Sequence, residues 1–143
     1  MFPNKVKLVP EASEITYRDT KDVDIFQLAR LFERAGWHDR TRDLGRLARL
    51  VSGSTHVVSA WRGDTLLGFA RAISDGVSNA YISTVAVLDT EEQKDILHQL
   101  LHRLMDGKED ITFVLQAVPA LASFYKDEGF EPAPEMVRRP RRS

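Results

Sequence analysis

The sequence predicts a mixed α/β (α+β) domain in which an antiparallel N-terminal meander feeds a β-α-β parallel crossover, with helices on the flanks. Three observations carry this. Three apolar runs rich in strand formers are separated by the tight turns Gly63-Asp64 and Asp75-Gly76. The last of them, Tyr81-Ile-Ser-Thr-Val-Ala-Val-Leu88, turns at Asp89-Thr90 into a stretch whose apolar residues recur at helical spacing. A fourth apolar run, Ile111-Thr-Phe-Val-Leu115, follows that helix and should close a right-handed parallel crossover.

The first element expected is a short strand at Ile15-Thr-Tyr-Arg18, with a second candidate strand before it at Lys5-Val-Lys-Leu-Val9. Asp19, Thr20 and Asp22 offer N-cap oxygens to a helix with Ile25, Leu28, Ala29 and Phe32 on one face, ending at Gly36. A second helix is expected after Asp39, with Leu44, Leu47, Ala48 and Val51 at i, i+3, i+4 and i+7. Thr55-His-Val-Val-Ser-Ala-Trp61 and Thr65-Leu-Leu-Gly-Phe-Ala-Arg-Ala-Ile73 then make the first two meander strands. The crossover helix, about 90–105, sets Ile96, Leu97, Leu100, Leu101, Leu104 and Met105 on one side, an apolar face broad enough to cover a sheet. Pro119 should open a further helix through Lys126, Gly129 should end it, and Phe130 should begin a last short strand.

At 143 residues the chain has the usual size of one domain, with a core of about 15–135 and a basic tail at 136–143. A net charge of −1 gives no whole-molecule field that would favour nucleic acid or an anionic membrane. Four arginines at 138, 139, 141 and 142 could touch an acidic partner, but the preferred reading of that run is a solvated tail. Without cysteine the chain has no disulfide, thiolate nucleophile or thiolate metal site, which fits a reducing compartment. No run approaches the roughly 20 apolar residues of a spanning helix, and no apolar leader follows Met1, so a cytoplasmic location is expected.

The strand-turn-helix unit at 81–105 is the kind that often seats a phosphate on a helix N-terminus. Here the turn carries Asp89, Glu91, Glu92 and Asp95 and no glycine. Thr90-x-x-Gln93 has capping-box spacing, and carboxylates in a first turn complement the helix dipole, so the turn can stabilise itself without a ligand. Glu91, Asp95, His98 and His102 fall on one helical stripe. Two histidines at i, i+4 can hold a divalent ion, yet Gln99 stands where the zinc-protease pattern needs Glu; the reading taken is a solvated face and no metal site. Trp37 and Trp61 could line an amine pocket, with core packing the preferred use of each.

The element order, together with Ser123-Phe-Tyr-Lys-Asp-Glu-Gly-Phe130 near the end, resembles the GNAT acetyltransferase superfamily over roughly residues 15–135. Val58-Ser-Ala-Trp61, Leu67-Gly-Phe-Ala-Arg-Ala-Ile-Ser-Asp-Gly76 and Gly129-Phe-Glu-Pro-Ala-Pro-Glu135 are similar to the cyanobacterial and plastid branch that includes arylalkylamine N-acetyltransferases. The resemblance implies acetyl-CoA as co-substrate and a small-molecule or peptide amine as acceptor. It implies that the co-substrate lies where two parallel strands part, its arm bonded to the main chain of Val85, Ala86 and Val87. Tyr125 matches the family tyrosine that protonates the departing thiolate; packing beside Phe124 and Phe130 is its other reading.

The family's pyrophosphate loop falls on residues 92–97, with Gln93, Lys94, Asp95, Ile96 and Leu97 as its contacts. Asp95 and Leu97 stand where the family has glycine or alanine, a degenerate loop that should weaken phosphate binding. The general base stays unassigned: Ser83-Thr84 occupies the position where many members carry a carboxylate, and His56 and Asp75 are the candidates elsewhere. A non-catalytic relative that has lost acetyl-CoA binding and serves as a binding or regulatory module is the alternative. Nucleic acid and membrane are not expected as partners, and a homodimer is left open.

Overall fold

A computed structural model of the protein describes residues 14–142, the side chains of Asp39 and Arg40 excepted. The candidate strand Lys5-Val-Lys-Leu-Val9 lies outside the described residues. A five-stranded sheet runs in the order β1 (Thr16–Arg18), β2 (His56–Arg62), β3 (Thr65–Ser74), β4 (Asn79–Val87), β5 (Thr112–Leu115). The first four strands pair antiparallel and β4 pairs β5 in parallel, so the expected meander and crossover are both present. Gly63 and Gly76 sit at φ 60° and 77° in the two turns, where a side chain would be strained. Asp75 secures the second turn by accepting from the backbone N–H groups of Val77, Ser78 and Asn79.

Before β2 come α1 (Ile25–Arg34) and α2 (Leu44–Ser52). The cap of α1 is Asp24 rather than Asp19, Thr20 or Asp22; its carboxylate accepts from the N–H groups of Phe26 and Gln27. Only Asp24 directly precedes the first helical residue, and a side chain can reach the N2 and N3 donors from no other place. The second helix starts later than Asp39, because residues 38–41 form a 3-10 turn and Asp43 supplies the cap. Its buried face is Leu47 and Val51, while Leu44 and Ala48 stay exposed.

The crossover helix α3 (Gln93–Met105) buries Ile96, Leu97, Leu100, Leu101 and Leu104 against the sheet. Close approach is possible because residue 68 is glycine: a Cβ there would meet Ile96 Cγ2 at 3.1 Å and Leu100 Cδ1 at 3.2 Å. One apolar cluster thus lies under α3 and includes Val58, Ala70 and Ile82. A second cluster on the other face joins Phe32, Leu47 and Val51 to Trp61 and Phe69.

After β5 the expected single helix is split into a 3-10 turn, Pro119–Leu121, and α4 (Ala122–Asp127). Gly129, at φ 98°, ends it as expected. The last strand expected from Phe130 does not form: 131–142 is exposed and without strand pairing. Pro132 and Pro134 have no N–H to give to a ladder, so this segment cannot extend the sheet. Among the described residues no helix is long and apolar enough to cross a membrane.

Candidate active site

The feature that makes a candidate site of this sheet is the end of pairing between β4 and β5. Their parallel pairing covers Asn79↔Thr112 to Ile82↔Leu115 and stops there. Just beyond, β4 is bulged: Arg71 of β3 faces Thr84 while its neighbour Ala72 faces Ile82, leaving Ser83 as the extra residue. A bulge bends its strand and adds twist, so 83–87 does not continue the line of 79–82. It also exchanges faces. Ile82 packs under α3, whereas Ala86, which an unbroken strand would place on the same side, packs in the opposite cluster. From Ser83 to Val87 the strand has β3 on one side and, among the described residues, no strand on the other. Val85, Ala86 and Val87 all lie in this one-sided stretch.

Tyr125 stands on α4, reached by the chain as it leaves the end of β5. Its ring is 7 % exposed and packs in the cluster with Ile82 and Leu97. It meets Phe124 and Phe130 edge to face, with centroids 5.4 and 5.7 Å away. The packing reading of this residue therefore describes its ring. Burial pushes its phenol pKa above the ordinary value, so it holds its proton through neutral pH.

The start of α3 is closed by its own residues. Gln93 Nε2 donates to the Val87 carbonyl at 3.3 Å, so the side chain reaches back to the strand instead of to Thr90. Thr90 Oγ1 accepts from the Glu92 N–H, and the reciprocal capping box expected of Thr90 and Gln93 does not form. Lys94 and Asp95 are exposed on the first turn. Ile96 and Leu97 are 1 % and 3 % exposed. Leu97 therefore adds its bulk to the core and not to the loop, a correction that follows from the helix starting early enough to turn that side chain inward. Glu92 is held by Arg62, whose Nη2 lies 2.8 Å from both carboxylate oxygens. Arg62 Nε is the buried polar side-chain atom that lacks a partner among the described residues.

The candidates for a base are dispersed. Asp75 is occupied by its turn, and the hydrogen bonds from Ser78, Val77 and Asn79 hold its carboxyl well below the usual range. His56 is two strands from β4 by register, through Ala72 to Ile82. It lines a cavity of about 200 Å³ with Asp19, Lys21, Arg103 and Lys108. Trp61 is core, its Nε1 donating to Ser59 Oγ at 2.7 Å, and Trp37 packs edge-on against Phe32. Arg71, which sequence reasoning passed over, donates to Thr84 Oγ1 at 3.2 Å and Ser83 Oγ at 3.1 Å. A guanidinium thus borders the strand position where the resemblance led to a search for a carboxylate.

Residues 26–139 match the family model described as an acetyltransferase (GNAT) domain. The chain belongs to the GNAT acetyltransferase family. An uncharacterized N-acetyltransferase, ycf52, of Porphyra purpurea is 30 % identical to this GNAT chain over 135 residues, which span 90 % of the chain and 76 % of that protein. The chloroplastic serotonin N-acetyltransferase 2 of Oryza sativa subsp. japonica is 29 % identical over 131 residues, 85 % of the chain and 63 % of that protein. A GNAT family protein of Streptococcus pneumoniae has the same fold, with a TM-score of 0.73 at 20 % identity over 90 % of this chain and 100 % of that one. An aminoglycoside acetyltransferase from a soil metagenome, solved with sisomicin, gives 0.64 at 18 % identity over 90 % and 95 %.

GNAT domains generally use acetyl-CoA, and the two halves of this site fit it unequally. The open edge of β4 offers main-chain groups to an extended amide arm, as a sheet edge does to an added strand. The phosphate end is a poorer match. Asp89, Glu91, Glu92 and Asp95 surround it against Lys94 and an Arg62 already bound to Glu92.

Proposed function

We propose that this GNAT domain moves an acetyl group from acetyl-CoA to a primary amine of a small molecule or peptide by direct attack, with Tyr125 as general acid. The observation that carries the reading is the termination of β4–β5 pairing at Ile82 and Leu115, which leaves 83–87 as an edge that an extended arm could join. Acetyl-CoA would supply the activated acyl group as a thioester. The main chain of Val85, Ala86 and Val87 would bind and orient its arm, and the start of α3 would face its phosphates. Acetyl leaves sulfur for nitrogen, the amine gives up a proton, and the thiolate takes one; the Tyr125 phenol, which burial keeps protonated through neutral pH, would be that donor. The amine class is supported by the serotonin N-acetyltransferase of Oryza sativa to which the chain is 29 % identical.

A second reading has its own observation. The Arg62–Glu92 pair and the Gln93 contact to Val87 fill with protein groups what a phosphate and an arm would use. On that reading the fold is kept as a binding or regulatory module. Calorimetric titration with acetyl-CoA separates the two. Saturable binding with a Kd of about 100 µM or tighter, together with acetyl transfer to a panel of primary amines, supports the enzyme. An absence of heat and of thermal shift at millimolar acetyl-CoA supports the module.

A further inference from the structure

The helical stripe of Glu91, Asp95, His98 and His102 is rearranged in three dimensions. What joins the two histidines is Glu128, from the residue that ends α4. His98 Nδ1 lies 2.8 and 2.9 Å from the two Glu128 oxygens, and His102 Nε2 lies 3.3 Å from Oε1. The two imidazole centroids are 4.1 Å apart. One ligand atom from each of the three residues lies within 4.8 Å of the other two. The Glu128 side chain is only 10 % exposed, while His98 and His102 are 44 % and 45 % exposed.

We propose that His98, His102 and Glu128 form a site for one divalent transition-metal cation of the zinc class, tying α3 to the end of α4. Two imidazole nitrogens and one carboxylate are the donors such an ion takes, at bond lengths of roughly 2.0–2.2 Å. Ligand atoms on a common ion at that distance stand about 3.3 Å apart; the His102–Glu128 pair is at that spacing, and the His98–Glu128 pair, at 2.8–2.9 Å, has to open by about 0.5 Å. Oxygen-seeking calcium and magnesium find one carboxylate here, too few for either. The other nitrogen of His102, Nδ1, lies 3.8 Å from Asp106 Oδ1, longer than a hydrogen bond, so a shift of about 1 Å would let that carboxylate orient a ligating imidazole. A nearly buried carboxylate between two rings also needs positive charge. A bound divalent ion would supply it. The exposed sides of the rings leave a further coordination position open to water.

The position of Glu128 gives the site a consequence. Its backbone N–H donates to the carbonyls of Phe124 and Tyr125, so an ion held by its side chain would also fix the helix that carries Tyr125. None of the three ligands is a residue assigned to the transfer reaction, so occupancy can be measured without acetyl-CoA.

The test uses the full, tag-free chain, stripped with chelator and then freed of it. Titration with zinc chloride should show one equivalent bound with a Kd of about 10 µM or tighter and a rise in Tm. Cobalt(II) should give visible ligand-field absorption of that same stoichiometry. In NMR spectra zinc should move the ring signals of His98 and His102 and leave those of His38 and His56 in place. Glu128→Gln should weaken binding tenfold or more, and His98→Gln with His102→Gln should abolish it. The proposal is overturned if zinc at about 1 mM binds nowhere, if the rings that move are His38 or His56, or if Glu128→Gln binds as the unmodified chain does. The ring signals are read on the unmodified chain and decide the matter even if a variant fails to fold.

Discussion

Arg62 grips Glu92 with one nitrogen, Nη2 at 2.8 Å from both oxygens, and so ties the last residue of β2 to the residue that caps α3. Both side chains keep about a third of their exposure, so the pair is worth no more than about 1 kcal/mol to the fold. Its larger effect is on the charge that a phosphate at the head of α3 would meet. Glu92→Gln removes one anion and releases Arg62. At a separation of about 4 Å in water this amounts to roughly 1 kcal/mol, so acetyl-CoA affinity should rise about fivefold. Calorimetry at low and high salt checks it, because the gain should shrink as salt screens the exposed groups.

Tyr125→Phe separates the two uses of that ring. The edge contacts to Phe124 and Phe130 survive the change, so Tm should move little. If the hydroxyl donates the proton that the thiolate needs, kcat should fall about 100-fold or more while acetyl-CoA affinity stays as it was. Equal turnover in the two proteins would leave Tyr125 as a packing residue alone.

What could be read in advance was whatever has a period. The meander strands, the two glycine turns and the inward face of α3 follow from period-two and helical spacing around Gly63, Gly76 and Leu97. Periodicity also overruled the alignment at Leu97 itself, which the helix turns into the core. Main-chain events left no such trace. The bulge at Ser83, where the edge of β4 beyond β5 begins, is a change of register that no side chain announces. Partnerships across the chain were equally silent: Arg62 with Glu92 spans 30 residues, and so does His98 with Glu128. The terminal strand was a local error of another kind. Phe130 suggested it, but Pro132 and Pro134 remove the donors that it would need.

Gly68 offers a test of how α3 is seated. A Val side chain there would press on Ile96 and Leu100, already at 3.1 and 3.2 Å from a bare Cβ. Gly68→Val should cost about 1–3 kcal/mol and lower Tm by several degrees, despite the better strand propensity of valine. Leu100→Ala alone should cost about 2–5 kcal/mol, and the double mutant should lose less than the sum of the two single losses, because the truncated side chain makes room for the valine. Denaturant unfolding of the four proteins of the cycle gives the coupling, and strict additivity would mean that the helix does not touch this position.

His56 gives the fold a dependence on pH that can be assigned to one residue. Burial lowers its pKa below 6.5, and the nearby Lys108 and Lys21 lower it further. Between that depressed value and 6.5 the unfolded chain binds a proton that the folded chain refuses. Stability from this group is therefore full above pH 6.5 and declines as pH falls through the window beneath it. His56→Gln has no proton to gain, so its loss of stability between about pH 7.5 and 5.5 should be smaller than that of the unmodified protein. Denaturant midpoints at the two pH values measure the difference. Parallel declines in the two proteins would show that His56 titrates alike in both states and that the lysines beside it do not act on it.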